Sequence, residues 1–248
     1  MKENEVLETY INENKEKKTI IYIHGTSFGA WCWKEHFIPY FERKGYGTCC
    51  FSFRGHGESW GKKRINKFGI NDYIKDCWNI IQKLDNSEII IAHSVGCIVI
   101  LKLLTLFPDI SSKIILLAPA TNRGMLKNYG KIFIQRATLK KMSSIYCSER
   151  LNENDSKKYE KKFAGISAKV SFQLIKSFTL PILLDNKNVM IIGSYADKGV
   201  GINNLYTMGN ELNAITVIFP NICHAMMLDP EWKVIADTIL NFIENNGR

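Results

Sequence analysis

Three residues of this 248-residue chain, Ser94, Asp197 and His224, have the types and the order needed for covalent catalysis. Ser94 ends the apolar run Ile89-Ile90-Ile91-Ala92-His93 and is followed at once by Val95-Gly96-Cys97 and more apolar residues. This small-x-Ser-x-Gly turn between a strand and a helix is the context of a nucleophile elbow, which leaves the serine Oγ exposed and demands small neighbours at Ala92 and Gly96. A serine hydroxyl is a weak nucleophile at neutral pH, so a histidine must take its proton and a carboxylate must orient that histidine. Asp197 lies in the loop Gly193-Ser194-Tyr195-Ala196-Asp197, after the strand-like run 188–192. His224 lies in the loop after the run 214–220. Both loops leave the C-terminal ends of their strands, where parallel sheets gather functional groups. The chemistry implied is acyl transfer to water.

Competing residues are weaker. Asp185 is the nearest rival to Asp197, but it precedes its strand and falls at the wrong end. His36 has no supporting context, and His93 is locked beside the elbow. Cys223 adjoins His224 without an elbow of its own and reads as buried filler. Asp229, before Pro230, reads as the N-cap of a C-terminal helix.

Six strands, at 20–24, 48–53, 88–94, 113–119, 188–193 and 214–219, must position these groups. The segments between them are long, several with helical periodicity, and this alternation predicts a mostly parallel central sheet flanked by helices. Val6 to Tyr10 adds an antiparallel edge strand. Asp72, Ile74, Cys77, Trp78, Ile81 and Leu84 have amphipathic helical spacing with Asn71 as cap, and Trp232 to Ile243 repeats the pattern. Val95 to Phe107 is apolar nearly all round, as a helix buried behind the elbow would be, and Pro108 stops it.

With the elbow and the Ser-Asp-His order, Ile20-Ile21-Tyr22-Ile23-His24-Gly25, Phe53-Arg54-Gly55-His56-Gly57-Glu58-Ser59 and His224-Ala225-Met226-Met227-Leu228-Asp229-Pro230 resemble the motifs of the α/β-hydrolase fold family, in its serine esterase and lipase branch. The resemblance spans nearly the whole chain. Ala92 departs from the more usual glycine and adds a methyl group at a crowded turn. The resemblance implies an oxyanion hole made by the backbone amides of Thr26 and Val95, with Ser27 a near competitor for Thr26. It makes His24 and His56 structural positions. It divides the chain into an α/β-hydrolase core, 1–119 and 188–248, and a helical cap, 120–187, that roofs Ser94 and supplies the acyl or alcohol pocket. It favours a small-molecule carboxylic ester as substrate, such as a monoglyceride or lysolipid. Thioester, lactone, amide or carbon-carbon cleavage on the same triad, and a non-catalytic small-molecule receptor, are the alternatives. Serine rather than aspartate at the elbow argues against dehalogenation and epoxide hydrolysis. Phe28, Trp31 and Trp33 read as core, with pocket lining as the second role.

Composition narrows the partners. The net charge of +9 resides in 121–187, where fourteen Lys and Arg face five Asp and Glu. This basic stretch carries no groove-reading motif, so nucleic acid is not expected. Its lysines read as a solvated face, with weak attraction to an anionic substrate or membrane surface as the alternative. The seven cysteines have no metal-ligand spacing and read as reduced thiols; no metal site is expected. The glycines form no phosphate cradle, so no cofactor is implied. Without a signal-like start or a run of roughly 18 apolar residues, the expected location is cytoplasmic.

Overall fold

Short runs of β-branched and aromatic residues form the strands because such side chains pack well on a pleated, buried surface. The computed structural model describes residues 5–14, 16–84, 89–110, 113–123, 142–179 and 188–245. Its strands are β1 (Thr9–Asn12), β2 (Thr19–Ile23), β3 (Gly47–Phe51), β4 (Ile89–His93), β5 (Lys113–Leu117), β6 (Asn188–Ser194) and β7 (Ile215–Phe219). They form one sheet in the order β1-β3-β2-β4-β5-β6-β7, parallel throughout except for β1, which runs antiparallel to β3. This is the mostly parallel α/β architecture expected from the alternation of elements.

Alternate residues of each strand enter opposite layers. Ile20 and Tyr22 of β2 pack with α1 (Trp31–Lys34), α2 (Phe37–Arg43) and α9 (Trp232–Glu244). Ile21 and Ile23 pack with α3 (Ile70–Ile81), α4 (Val95–Leu106) and α8 (Ile202–Glu211). Because helices cover both faces, β2, β3 and β4 are buried at every position and need no polar alternation. α4 is buried nearly all round. Each Ile or Leu so buried contributes about 1.5–3 kcal/mol, and trimming Ile98 or Leu101 to alanine is expected to cost about 2–5 kcal/mol.

Between β5 and β6 the described residues form α5 (Ser143–Tyr146), α6 (Glu153–Glu160) and α7 (Ala168–Gln173). Asn152 and Ser167 cap α6 and α7 through their side chains. Ile132, Phe133, Ile134 and Leu139 of the expected cap, and Asp185, lie outside the described residues.

Four local expectations need correction. The edge strand is Thr9–Asn12, not Val6–Tyr10, because Val6 and Glu8 bond the loop after β3: Trp60 N–H donates to the Val6 carbonyl at 3.1 Å and Ser52 N–H to that of Glu8 at 2.9 Å. α3 starts two residues earlier than an Asn71 cap allows. Gly69 is its N-cap, and Asp72 reaches back to accept the Gly69 N–H at 2.8 Å. The N-cap position of α9 is held by Glu231 rather than Asp229, although Asp229 Oδ1 still accepts the Glu231 N–H at 2.9 Å; its other oxygen is turned toward the His224 loop. The strand expected at 113–119 stops at Leu117 because Ala118 takes a positive φ of 43°.

Candidate active site

Ser94 joins β4 to α4 with φ 52° and ψ −117°, a conformation that costs a non-glycine residue about 1–3 kcal/mol. The turn is over-determined by its surroundings. Ser94 N–H donates to the Leu117 carbonyl at 2.9 Å, and the Ser94 carbonyl accepts from Cys97 and Ala120. A Cβ on Gly96 would stand 2.6 Å from the His24 carbonyl oxygen, and one on Gly25 would stand 2.8 Å from the Ser94 Cβ. Only glycine fits at either place. The methyl group of Ala92 is accommodated in the apolar layer shared with α4.

The loops after β6 and β7 bring Asp197 and His224 to this turn. His224 Nε2 lies 3.1 Å from Ser94 Oγ, and His224 Nδ1 lies 2.9 Å from Asp197 Oδ2 and 3.1 Å from Oδ1. The carboxylate can only accept, so Nδ1 carries the proton and Nε2 turns its lone pair to the serine hydroxyl. Asp197 Oδ1 also accepts the N–H groups of Gly199 and Val200, at 2.6 and 3.1 Å, which fixes the carboxylate. All three side chains are nearly enclosed, with 8 % of Ser94 exposed. An arrangement of this kind can pass a proton from serine to histidine while the carboxylate stabilises the resulting imidazolium.

Thr26 and Ser27 occupy the central positions of the turn closed by the Phe28 N–H and the Gly25 carbonyl, and Ser27 has φ 71°. This turn lies against Ser94 through Gly25. Val95 is the first residue of α4, where backbone N–H groups have no partner within the helix. The two segments expected to donate to an oxyanion therefore flank the serine.

The remaining histidines are braces. His24 Nδ1 donates to the Gly25 carbonyl and its Nε2 accepts from Phe53 N–H at 2.9 Å, while burial holds its pKa well below the usual value. Burial pushes His56 down to about 4. His36 stacks on Trp232. Arg54, before His56, makes a bidentate pair with buried Asp76, so that turn too is pinned from below.

Four supports of the site carried no sequence signal of their own. His93 Nε2 donates to the His224 carbonyl at 2.9 Å, tying the end of β4 beside Ser94 to the His224 loop across 131 positions of chain. Ser194 Oγ accepts from Ile222 and Ala196. Asp229 Oδ2 accepts the Cys223 N–H at 2.9 Å. Tyr146 accepts the Ala225 N–H at 2.8 Å and sets its ring 5.5 Å from that of His224. Asp229 is distinguished in the sequence only by its place before Pro230, which points to a helix cap.

Phe28 and Trp31 are buried, as expected, but they face the inserted segment. Phe28 packs on His93, Tyr146 and Phe163, and Trp31 on Tyr159 and Phe163. Trp33 belongs to the core with Tyr22 and Phe37. All seven cysteines are buried free thiols. Among the described residues no group of His, Cys, Asp and Glu is arranged to hold a metal, and no helix is long and apolar enough to cross a membrane.

Strand order, elbow and the Ser94-His224-Asp197 series define a fold class, and comparison with known proteins agrees. The sequence model of the alpha/beta hydrolase fold family matches residues 18–133. Over those residues, a little under half of the chain, the sequence is similar to that family. A curated relative, the putative methylesterase 11, chloroplastic, of Arabidopsis thaliana, is 29 % identical over 152 residues, which are 57 % of this chain and 37 % of that protein. The chain thus matches little more than a third of that relative's length. Among solved structures, the putative non-heme bromoperoxidase BpoC from Mycobacterium tuberculosis H37Rv superposes with a TM-score of 0.76 at 17 % identity, covering 98 % of this chain and 97 % of that one. The monoacylglycerol lipase of Paleococcus ferrophilus superposes with a TM-score of 0.72 at 18 % identity, covering 96 % and 98 %. These structures share the fold.

Proposed function

We propose that this chain is a serine hydrolase that cleaves a small-molecule carboxylic ester through a Ser94-His224-Asp197 triad and an acyl-enzyme. The observation that carries the reading is the unbroken hydrogen-bond series from Ser94 Oγ through both nitrogens of His224 to Asp197. His224 takes the Ser94 proton as Oγ attacks the ester carbonyl. The amides of Thr26 and Val95 hold the tetrahedral oxyanion, and losing one such donor costs on the order of 100- to 1,000-fold in rate. His224 then protonates the leaving alcohol, and water releases the acyl group by the reverse steps.

The described part of the insertion, residues 142–179, serves as a cap beside this site. Phe28, Tyr146 and Phe163 give its floor and underside an aromatic character that suits an acyl chain, hence a monoglyceride or lysolipid. The methylesterase relative supports an ester over a thioester, lactone or amide. Two measurements test the reading: labelling with a serine-directed fluorophosphonate, and turnover across acyl esters, thioesters and lactones of several chain lengths. Labelling of wild type, its loss in Ser94→Ala, and turnover highest on esters are expected. Absence of an adduct on wild type means a silent receptor, and preference for thioesters or lactones overturns the substrate class.

A further inference from the structure

Resting on the hydrolase reading, we propose that Arg150 is a positioning residue: its guanidinium fastens the inserted segment to the His224 loop and so keeps the base within reach of Ser94. The loop that carries His224 contains only one short 3-10 turn, Met226–Leu228, and the rest of its backbone is held by other groups. On one side of His224 the Ala225 N–H is held by the carbonyl of Tyr146 at 2.8 Å. On the other side the Cys223 N–H is held by Asp229 Oδ2 at 2.9 Å.

Asp229 is fully buried. Its second oxygen accepts the Glu231 N–H at 2.9 Å and Arg150 Nη2 at 3.0 Å. The same Nη2 donates to the Asn221 carbonyl at 2.6 Å, and Nη1 reaches Glu231 Oε2 at 2.7 Å. Ser148 Oγ accepts from the Arg150 Nε and backbone N–H, which aims the guanidinium before it meets the loop. One planar fork therefore meets acceptors at 221, 229 and 231, while Tyr146, four residues earlier in the same segment, holds the loop at 225. A lysine, as a single point donor, cannot meet these directions together.

Glu149 adds an ion pair to Lys198, beside Asp197, at 2.8 Å. That pair is solvent-exposed and contributes little by itself. Its position nevertheless shows that residues 146–150 touch both loops that bear the acid and the base. A cap that only lined the pocket would alter KM when loosened. A strap on the His224 loop alters kcat, because misplacing a reacting group by about 1 Å costs about 100-fold.

The test compares the full chain with Arg150→Ala and Arg150→Lys, measuring kcat and KM on an ester, circular dichroism, and turnover with guanidinium chloride or sodium chloride at equal tens-of-millimolar concentration. Arg150→Ala is expected to lower kcat about 10- to 100-fold with KM changed less than about twofold. Arg150→Lys is expected to recover only part of this loss. Guanidinium, but not sodium, is expected to raise the kcat of Arg150→Ala several-fold and to leave wild type unchanged, since the site is 44 % exposed and open to the added ion. Lys157→Ala, which removes an exposed pair within α6, should leave both constants unchanged.

A folded Arg150→Ala variant with wild-type kcat, with a rise in KM alone, or with no response to guanidinium overturns the proposal. Should that variant fail to fold, Arg150→Lys decides: a fall in kcat at constant KM supports the strap, and wild-type kcat removes it. Wild type that neither turns over nor labels defeats the hydrolase reading first, and the strap falls with it.

Discussion

The turn that carries Ser94 and the loops that carry Asp197 and His224 meet at 3.1 Å, yet they are held by different forces. At Ser94 the constraint is steric. A left-handed backbone is wedged between Gly25 and Gly96, neither of which has room for a methyl group. At His224 the constraint is polar: His93, Asp229, Ser194 and Tyr146 each hold one backbone group of the loop. A packed wedge offers no intermediate state between intact and broken, because interiors have little slack. A set of hydrogen bonds can be weakened one at a time. The nucleophile's position should therefore fail all at once, and the base's position should degrade by steps.

Substitutions can break that contrast, beginning with the largest effect. Ser94→Ala is expected to lower kcat about a million-fold while leaving thermal stability within about 1 kcal/mol, as removal of a triad serine does elsewhere; steady-state kinetics and a melt check both. Gly96→Val should yield no folded protein, because the added side chain meets the carbonyls of Ile23 and His24 below 3 Å; expression and circular dichroism read the outcome. Soluble, active Gly96→Val would refute the steric account.

Asp229→Asn comes next, at about 1–3 kcal/mol in urea unfolding, since it neutralises the buried partner of half-exposed Arg150 and weakens the hold on Cys223. Its kcat should fall by steps rather than vanish. His93→Phe removes one of two donors to the buried His224 carbonyl, which keeps the Met226 N–H at 2.9 Å, and should cost about 1 kcal/mol. His93→Gln, which keeps a donor, should cost less, and an equal loss in both would show that ring packing alone matters.

The smallest effect is on pH. His24, His56 and His93 are buried and held neutral by desolvation, with His56 near 4 against 6.5 when unfolded. Between those values the unfolded chain binds more protons than the folded one, so stability falls as pH drops from about 6.5 toward about 4. All three lie on the serine side of the site. Urea midpoints at pH 7.5 and 5 should differ in wild type and differ less in His56→Gln.

The features legible in the sequence were those written locally. The elbow and the alternation of elements depend on residues within a few positions of one another, and Asp197 and His224 are each read from the strand-like run just before it. Local reading failed where a polar group had two outlets. Asp229 next to Pro230 looks like a helix cap, but an inward carboxylate with a guanidinium and two N–H partners has the better bargain. Asn71 was displaced because Gly69 with Asp72 forms the reciprocal helix start. The bond from His93 to His224 joins residues 131 positions apart, and nothing in either neighbourhood announces it.

Sheet order has a further consequence. β4, which delivers the serine, lies between β2 and β5, whereas β7, which delivers the histidine, is paired among the described residues only with β6, and Ile215 at its start is 53 % exposed. Border strands open by fluctuation at lower free energy than central ones. On warming, the amides of β7 should exchange with deuterium before those of β4, and turnover should fade while the far-ultraviolet spectrum is still native. Inactivation would then report the fraying of one strand rather than the melting of the molecule.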